Sequence, residues 1–324
     1  MPPSRINIRK IFKGALMRIF ASGLRFPEGP IAMADGSVLV VEIERGTLTR
    51  AHPDGRLEVV AEIAGAPNGA AMGPDGRIFI CNSGGYGWIR EGAALRPGRQ
   101  SKTYTGGGID VVDLVTGKVE RLYERCRENP LKGPNDLVFD GQGGFWFTDM
   151  GKLRQRDLDL GFIYWARADG SEIREVIGGM ITPNGIGLSP GGQRLYVAET
   201  IPGRLWSWEI VAPGMVRKRP WPATYGATFV GASGGAVRFD SLAVAASGNI
   251  CLAALDACAI LEMNPDGIIV RRHAAPDMLV TNLCFGGSSL RTAYVTLSHQ
   301  GVLAALDWPD AGLPLHHVEY PQQV

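Results

Sequence analysis

Residues 182–200 read TPNGIGLSPGGQRLYVAET, and this stretch decides the fold class. It contains a Pro-Asn-Gly tripeptide at 183–185, a Gly-Gly pair at 191–192 and the apolar run Leu195–Ala198. Asn-Gly and Gly-Gly steps favour tight turns, and a short apolar run bounded by turns is typical of a strand. The stretch therefore predicts one repeating unit of an all-β fold.

The same order of tripeptide, turn and apolar run occurs six times along the chain. The central tripeptide residues are Glu28, Asn68, Asn135, Asn184, Asp240 and Asn282, and the runs that follow them are Val38–Val41, Ile78–Cys81, Phe145–Thr148, Leu195–Ala198, Ile250–Ala253 and Ala293–Thr296. Successive central residues lie 40, 67, 49, 56 and 42 positions apart. The shorter steps match the ~40–45-residue period of a four-stranded propeller blade, and the longer steps add insertions. The repeat predicts a single-domain, six-bladed β-propeller with four-stranded blades.

This repeat divides the chain into three expected regions. They are an N-terminal arm at 1–16, the propeller at 17–315 and a C-terminal tail at 316–324. Met17–Ser22 precedes the first copy, so we expect it to supply a strand to the last blade and close the ring. A membrane-surface helix at Ile8–Phe20 is the alternative interpretation of the basic N-terminal segment.

Composition excludes several classes of protein. The net charge is +1, with 45% hydrophobic and 20% charged residues, which argues against a nucleic-acid binder and against a disordered chain. The five cysteines form no Cys-x-x-Cys pair, so we expect a reduced, cytoplasmic protein. No apolar run reaches the ~18 residues of a membrane-spanning helix. We expect a small-molecule substrate, no nucleic-acid partner, and a monomer or small homo-oligomer.

The six central residues all carry carboxylate or carboxamide oxygens. The innermost strands of a propeller line its channel, so we expect a loop entering each of the apolar runs to place its central residue near the axis. Oxygen donors suit a hard divalent cation, whereas zinc usually recruits His or Cys. Asn and Asp also form turns well, which is the structural alternative for any single copy. Glu28 is a poor turn residue, and six aligned oxygen side chains favour a binding site.

Four motifs carry a family resemblance. FPEGP at 26–30, GPNDLVFD at 133–140, the stretch at 182–200 and FDSLAV at 239–244 resemble the SMP-30/gluconolactonase/regucalcin family. The resemblance covers nearly the whole chain. It implies a six-bladed propeller with one divalent metal ion near the channel mouth, held by Glu28, Asn135, Asn184 and Asp240.

The sequence departs from that family at two positions. Its fifth copy is Phe-Asp-Ser around Asp240, where the family often has Pro-Asp-Gly. Sugar-lactone hydrolases of the regucalcin type carry an arginine two residues before the third-blade asparagine, and here that residue is Gly133. The second departure weakens the assignment of an aldonolactone substrate.

We therefore predict a divalent-metal-dependent hydrolase that opens a sugar lactone or a similar small ester. Ca²⁺ is the favoured ion, with Mg²⁺, Mn²⁺ and Zn²⁺ open. Asp240 is the catalytic candidate, either as general base on water or as nucleophile. A metal-dependent phosphotriesterase, another ring-opening or ring-closing enzyme, and a non-catalytic metal-binding scaffold are the alternatives.

Further residues are expected to bind substrate. Asn68 and Asn282 occupy the two remaining copies, and His299 follows the last apolar run. The insertion at 84–108 contains Trp88 and Arg90, and we expect it to fold over the channel mouth as a lid, with an oligomer contact or a solvated loop as the alternative. The mixed charges of 152–159 predict a segment that stays in solvent.

Overall fold

The computed structural model of the chain describes residues 17–321. In chain order its strands are β1 (Arg18–Ser22), β2 (Pro27–Ala32), β3 (Val38–Glu42), β4 (Thr47–Ala51), β5 (Leu57–Glu62), β6 (Pro67–Met72), β7 (Ile78–Asn82), β8 (Tyr86–Glu91), β9 (Ala94–Gln100), β10 (Gly108–Val112), β11 (Val119–Tyr123), β12 (Arg125–Cys126), β13 (Asn129–Pro130), β14 (Pro134–Phe139), β15 (Gly144–Asp149), β16 (Gly161–Arg167), β17 (Ile173–Met180), β18 (Pro183–Leu188), β19 (Arg194–Glu199), β20 (Arg204–Ala212), β21 (Met215–Arg217), β22 (Thr228–Ala232), β23 (Arg238–Val244), β24 (Ile250–Leu255), β25 (Ala259–Met263), β26 (Ile269–Ala274), β27 (Val280–Gly286), β28 (Thr292–Leu297) and β29 (Val302–Asp307). A 3₁₀ helix spans Thr224–Gly226. The expected arm at 1–16 lies outside the described residues.

Six antiparallel sheets form the blades of a β-propeller, which confirms the predicted fold class. Their strand orders, from the axis outward, are β2-β3-β4-β5, β6-β7-β10-β11, β14-β15-β16-β17, β18-β19-β20 with β21 and β22, β23-β24-β25-β26, and β27-β28-β29-β1. In blade 4, β21 and β22 pair with different halves of β20. Each inner strand packs against the inner strand of the next blade, and β27 packs against β2. The six sheets therefore close into a ring around one axis.

The first strand of the chain closes this ring. Strand β1 pairs with β29 and is the outermost strand of blade 6, as predicted for the segment Met17–Ser22. The blade is therefore built from both ends of the chain. Backbone hydrogen bonds across β1 and β29 join the first and last repeats.

The hydrophobic core lies between neighbouring blades. In strand β7, Ile78 and Ile80 pack toward blade 1, whereas Phe79 and Cys81 pack toward blade 3. Successive side chains of a strand point to opposite faces, so a strand covered on both faces needs apolar residues at every position. This arrangement explains the uninterrupted apolar runs of the repeat.

The position of the tripeptides differs from the expectation. They lie inside the innermost strands β2, β6, β14, β18, β23 and β27, and the apolar runs form the second strand of each blade. Proline, glycine and asparagine are depleted in strands, so the pattern alone indicated loops. Here they are accommodated because each inner strand is irregular at that point.

The segment after β29 packs against the end of the channel that lies at the C-terminal ends of the inner strands. Leu313 N–H donates to the carbonyl of Val244, and residues 313–318 help to line a cavity of about 360 Å³ there. All five cysteines are free. Within residues 17–321, no helix has the length and apolar character needed to cross a membrane.

Candidate active site

A shift in strand register occurs at the tripeptide in all six blades. The shifts fall between Glu28 and Ile31, Pro67 and Ala70, Pro134 and Leu137, Pro183 and Ile186, Phe239 and Leu242, and Val280 and Asn282. Bulges of this kind redirect a side chain and are common beside active sites. The irregularity gives each inner strand one position whose side chain can depart from the regular alternation.

In blades 1, 2 and 4 a glycine follows the central residue at a point close to the inner strand of the next blade. A Cβ atom on Gly29 would lie 2.6 Å from the backbone nitrogen of Ala70, and one on Gly69 would lie 2.6 Å from Cα of Asp136. Gly185 meets Ser241 Cα at 2.7 Å in the same way. Such contacts leave no room for a side chain. These three glycines therefore permit the close approach of the inner strands of blades 1, 2 and 4 to those of blades 2, 3 and 5.

A second set of buried polar residues holds the loops that lead into the tripeptides. Glu42, Asn82, Asp149 and Glu199 end the second strands of blades 1 to 4 and accept hydrogen bonds from the N–H groups of Arg25, Ala66, Lys132 and Ile181, at 2.6, 2.9, 2.7 and 2.8 Å. Asp149 also accepts from Gly133 N–H at 2.7 Å and Gly151 N–H at 2.9 Å. These bonds fix the backbone two or three residues ahead of each central residue. They therefore position the site without belonging to it.

Five of the predicted site residues line one cavity of about 280 Å³ at the N-terminal ends of the inner strands. They are Glu28, Asn68, Asn135, Asn184 and Asp240. Glu28, Asn68, Asn135 and Asn184 are buried, and Asp240 is partly exposed. The sixth central residue, Asn282, is buried beside them, and its Nδ2 donates to Glu28 Oε2 at 2.8 Å. The structure thus brings together side chains that are up to 254 positions apart in the chain.

Hydrogen bonds orient the carboxylates of this cluster. Glu28 Oε2 also accepts from Gly29 N–H at 2.9 Å. Asn184 Nδ2 donates to Asp240 Oδ1 and to Thr200 Oγ1, the latter at 3.0 Å. Asn135 Nδ2 lies 3.1 Å from the sulfur of Met150. The amide NH₂ groups therefore point toward other protein groups.

The cluster carries more negative charge than its protein surroundings compensate. Burial raises the pKa of Glu28. Burial and then the neighbouring Glu28 carboxylate raise the pKa of Asp240 well above its usual range. The same two causes raise the pKa of Asp136, next to Asn135, to about 7. Arg238 lines the cavity, but its Nε donates to Asp256 at 2.8 Å. A cation among these carboxylates would relieve both the burial penalty and their mutual repulsion.

The donor set fits a hard divalent cation. The Oδ1 atom of Asn184 is buried and accepts no hydrogen bond, and an amide oxygen of this kind is a suitable cation ligand. In residues 17–321 no three His, Cys, Asp or Glu side chains are arranged to hold a metal ion by themselves. A cation here would depend on two carboxylates, Glu28 and Asp240, together with the amide oxygens of Asn135 and Asn184.

The insertion at 84–108 forms the hairpin β8–β9, and part of it borders the cavity. Tyr86, Arg96, Pro97 and Gly98 are lining residues. The remaining predicted residues of this region point elsewhere. Trp88 packs on Phe26 with ring centroids 5.3 Å apart, and Arg90 pairs with Glu44.

His299 also lies outside the cavity lining. Its carbonyl accepts a hydrogen bond from Leu95 N–H at 3.1 Å, and its Nε2 lies 3.6 Å from Glu91. The loop after β28 thus contacts the hairpin through this residue. The roles predicted for His299, Trp88 and Arg90 in substrate binding stay predictions.

The expectation that 152–159 stays in solvent is wrong for its first residue. Lys152 is 3% exposed and lines the cavity. Its Nζ donates to the carbonyls of Ser83 at 2.8 Å and Gly85 at 3.0 Å, and it lies 4.0 Å from the ring centre of Tyr86. Burial lowers the pKa of Lys152 to about 8. The ammonium group therefore attaches the start of the hairpin insertion to blade 3.

Sequence reasoning missed Asp136, Lys152 and the polar residues that end the second strands. Glu42, Asn82 and Asp149 each follow a central residue by the same 14 positions, and Glu199 follows Asn184 by 15. That regular offset is a signal that the sequence contains. Lys152 offers no such signal, because its burial depends on contacts with a distant insertion.

Fold and site together define a six-bladed β-propeller with an acid-and-amide cluster at one end of its axial channel. This class contains many proteins that share no close sequence relationship. The sequence profile described as SMP-30/Gluconolactonase/LRE-like region matches residues 26–299. The chain belongs to this family.

Individual relatives are distant in sequence. A gluconolactonase of Zymomonas mobilis is 22% identical over 310 residues, which cover 88% of this chain and 80% of the relative. The lactonase Drp35 of Staphylococcus saprophyticus is 27% identical over 259 residues, covering 78% and 70%. A solved structure of the calcium-binding protein regucalcin from Agrobacterium tumefaciens superposes with a TM-score of 0.71 at 20% identity, covering 95% of this chain and 97% of that one.

Proposed function

We propose that this protein hydrolyses lactones and that a divalent cation at Glu28, Asn135, Asn184 and Asp240 is required. The observation that carries the proposal is the convergence of two carboxylates and three asparagines on one cavity, where no Lys or Arg side chain within residues 17–321 forms a salt bridge with Glu28 or Asp240. Relatives named gluconolactonase and lactonase support the reaction, and the calcium-binding regucalcin supports the cation. Ca²⁺ is the favoured ion because all the donors are oxygens, with Mg²⁺, Mn²⁺ and Zn²⁺ as alternatives.

A bound cation would polarise the lactone carbonyl as a Lewis acid and stabilise negative charge on its oxygen. The residues of the chain supply orientation and proton transfer. The carboxylate and amide groups of the inner strands form the floor of the cavity. Asn184 Nδ2 donates to Asp240 and so holds that carboxylate at the floor. Asn68 lines the same floor and can orient water or substrate. Asn282 holds Glu28 in the same manner.

Asp240 is the proposed catalytic residue, by one of two routes. As general base it would take a proton from water while the water oxygen attacks the carbonyl carbon, and it would return that proton to the ring oxygen as the ring C–O bond breaks. As nucleophile its oxygen would attack the carbonyl carbon, the ring C–O bond would break with the ring oxygen taking a proton from water, and a water molecule would then hydrolyse the resulting anhydride. Both routes add one water molecule and yield a hydroxy acid. A single turnover in H₂¹⁸O distinguishes the general-base route from a nucleophilic route in which water attacks Cγ of Asp240, because only the latter places unlabelled oxygen from Asp240 in the product.

The test of the proposal is a lactone panel assayed with and without Ca²⁺, Mg²⁺, Mn²⁺ and Zn²⁺. We expect a chelator to remove turnover reversibly, and Asp240→Asn and Glu28→Gln to lose at least about 100-fold in kcat/KM. Asp169→Asn is a matched control, since Asp169 is exposed in an outer turn of blade 3. Full activity in both site variants would contradict the proposal. Turnover of phosphotriesters alone, or tight cation binding without any turnover, would favour one of the alternative functions.

The remaining expectations concern the environment of the enzyme. We propose a cytoplasmic protein that acts on small molecules, binds no nucleic acid and exists as a monomer or small homo-oligomer. The five free cysteines support a reducing compartment. Cell fractionation and light scattering after gel filtration test these two points.

A further inference from the structure

The walls of the site cavity differ in chemistry from its floor. The floor consists of the carboxylate and amide groups of the inner strands. The walls are contributed by surrounding loops and second strands, and they carry the apolar side chains of Phe26, Ile43, Leu153, Leu158, Ile201 and Leu279. A ligand with its carbonyl at the floor would therefore place its remaining atoms against hydrocarbon.

Charged groups in the walls are already bound to other protein groups. Lys152 donates to two backbone carbonyls. Arg96 donates to Glu91 at 2.8 Å, and Arg238 donates to Asp256 at 2.8 Å. The Nη groups of Arg96 and Arg238 keep unused donors, but both side chains are partly exposed, so most hydroxyl groups of a polyhydroxylated ligand would lie against the apolar side chains of the wall. Hydroxyl groups that lose water without new partners weaken binding.

Three apolar wall residues remain in contact with solvent. Leu153 is 46% exposed, Leu158 is 38% exposed and Ile201 is 48% exposed. Covering such side chains with an apolar substituent removes hydrocarbon surface from water on both partners. The cavity volume of about 280 Å³ is close to the lower end of small-molecule sites and accommodates one small ring with a short substituent.

From these observations we propose that the preferred substrate is a monocyclic lactone with an apolar alkyl or aryl substituent, rather than a polyhydroxylated sugar lactone. The proposal rests on the proposed lactone hydrolysis and specifies its substrate class. The lactone carbonyl lies at the floor near Asp240, and the substituent lies along Leu153, Leu158 and Ile201.

The test compares four lactones that share a six-membered ring: δ-valerolactone, δ-hexalactone, δ-octalactone and D-glucono-δ-lactone. We expect kcat/KM to rise about fourfold for each added methylene, the factor that corresponds to burying one CH₂ group. D-Glucono-δ-lactone should be hydrolysed at least about tenfold less efficiently than δ-octalactone. The reverse order, with the sugar lactone preferred, would overturn the substrate class and leave lactone hydrolysis intact. No turnover of any of the four would overturn both proposals.

A pair of leucine variants tests where the substituent lies. Leu158 lines the cavity, whereas Leu160 is 53% exposed and is absent from the lining. Leu158→Ser should reduce the ratio of kcat/KM for δ-octalactone to that for δ-valerolactone by about fivefold, because it removes apolar contact surface. Leu160→Ser, a matched change two residues away, should keep the wild-type ratio. Equal ratios in both variants and the wild type would overturn the placement of the substituent along Leu153, Leu158 and Ile201.

Discussion

Replacing Glu28 by glutamine separates two effects of one buried carboxylate, because the change removes a charge and keeps the shape. Two hydrogen bonds reach the Oε2 atom of Glu28, from Gly29 N–H and from Asn282 Nδ2. A glutamine oxygen at that position would accept both. Burial raises the pKa of Glu28, and its charge in turn raises the pKa of Asp240. The neutral side chain avoids both costs in the cation-free protein.

The expected result has opposite signs for stability and activity. Without divalent cations, Glu28→Gln should stabilise the fold by about 1–4 kcal/mol, by analogy with the gain seen when buried ion pairs are replaced by uncharged residues of similar volume. That gain corresponds to a rise in Tm of roughly 2 °C per kcal/mol for a chain of this size. Lactone hydrolysis should fall at least about 100-fold, because a cation ligand is lost.

Thermal unfolding in a chelator and in Ca²⁺, together with lactone assays, measures both effects. Wild-type protein should gain about 2.7 kcal/mol when Ca²⁺ reaches 100 times its Kd, and the variant should gain little. Glu209→Gln is a suitable control, since Glu209 is exposed on strand β20. The reasoning about the cluster would be refuted if Glu28→Gln were less stable than the wild type in the chelator and still hydrolysed lactones in the activity assay.

Three further changes test the supporting structure. Lys152→Met removes a buried ammonium group whose pKa is about 8 in the folded protein, below its ordinary 10.5. The wild-type fold therefore gains stability as the pH rises from 8 to 10.5. In urea unfolding, the stability of the wild type relative to the variant should increase by about 3 kcal/mol from pH 7 to pH 10. A constant difference would contradict the burial of the charge. Asp149→Asn places an NH₂ group opposite a backbone N–H group. The free energy of unfolding should fall by about 2–4 kcal/mol, and kcat/KM should fall as well. Unchanged activity at full stability would contradict the positioning role of Asp149. Gly69→Ala brings Cβ within 2.6 Å of Asp136 and should destabilise the fold by about 1–3 kcal/mol, while Gly87→Ala, whose nearest contact is 3.4 Å, should be tolerated in the same melting assay.

The blade repeat could be predicted because the packing between blades imposes it locally. A second strand buried on both faces must be apolar at every position, as Ile78–Cys81 shows, and turns must join it to its neighbours. The location of the tripeptides could not be predicted in the same way. Residues such as Pro67 and Gly69 disfavour regular strands, and the requirement for glycine at position 69 comes only from the close approach of the neighbouring inner strand.

The floor of the site could be predicted, and its walls could not. The floor follows the symmetry of the repeat, so the positions of Glu28 and Asp240 in the chain indicate their positions in space. The walls come from insertions without symmetry. The strand register shifts between Tyr86 and Trp88. As a result Tyr86 lines the cavity, whereas Trp88 packs against Phe26. The composition of the insertion could not indicate which of the two side chains reaches the cavity.

The sequence alone does not explain why position 133 is a glycine. An arginine at this position is typical of regucalcin-type sugar lactonases, and the sequence shows only that glycine replaces it. The structure adds that a Cβ atom here would lie 2.4 Å from the carbonyl oxygen of Gly151. This backbone therefore excludes any side chain at Gly133.

Crystals soaked in Mn²⁺ and measured at the manganese absorption edge provide the most direct test of the cation site. We predict one anomalous peak within about 2.5 Å of side-chain oxygens from Glu28, Asn135, Asn184 and Asp240. Ordered crystals at saturating Mn²⁺ that show no peak among these four residues would contradict the cation site, and with it the proposed mechanism.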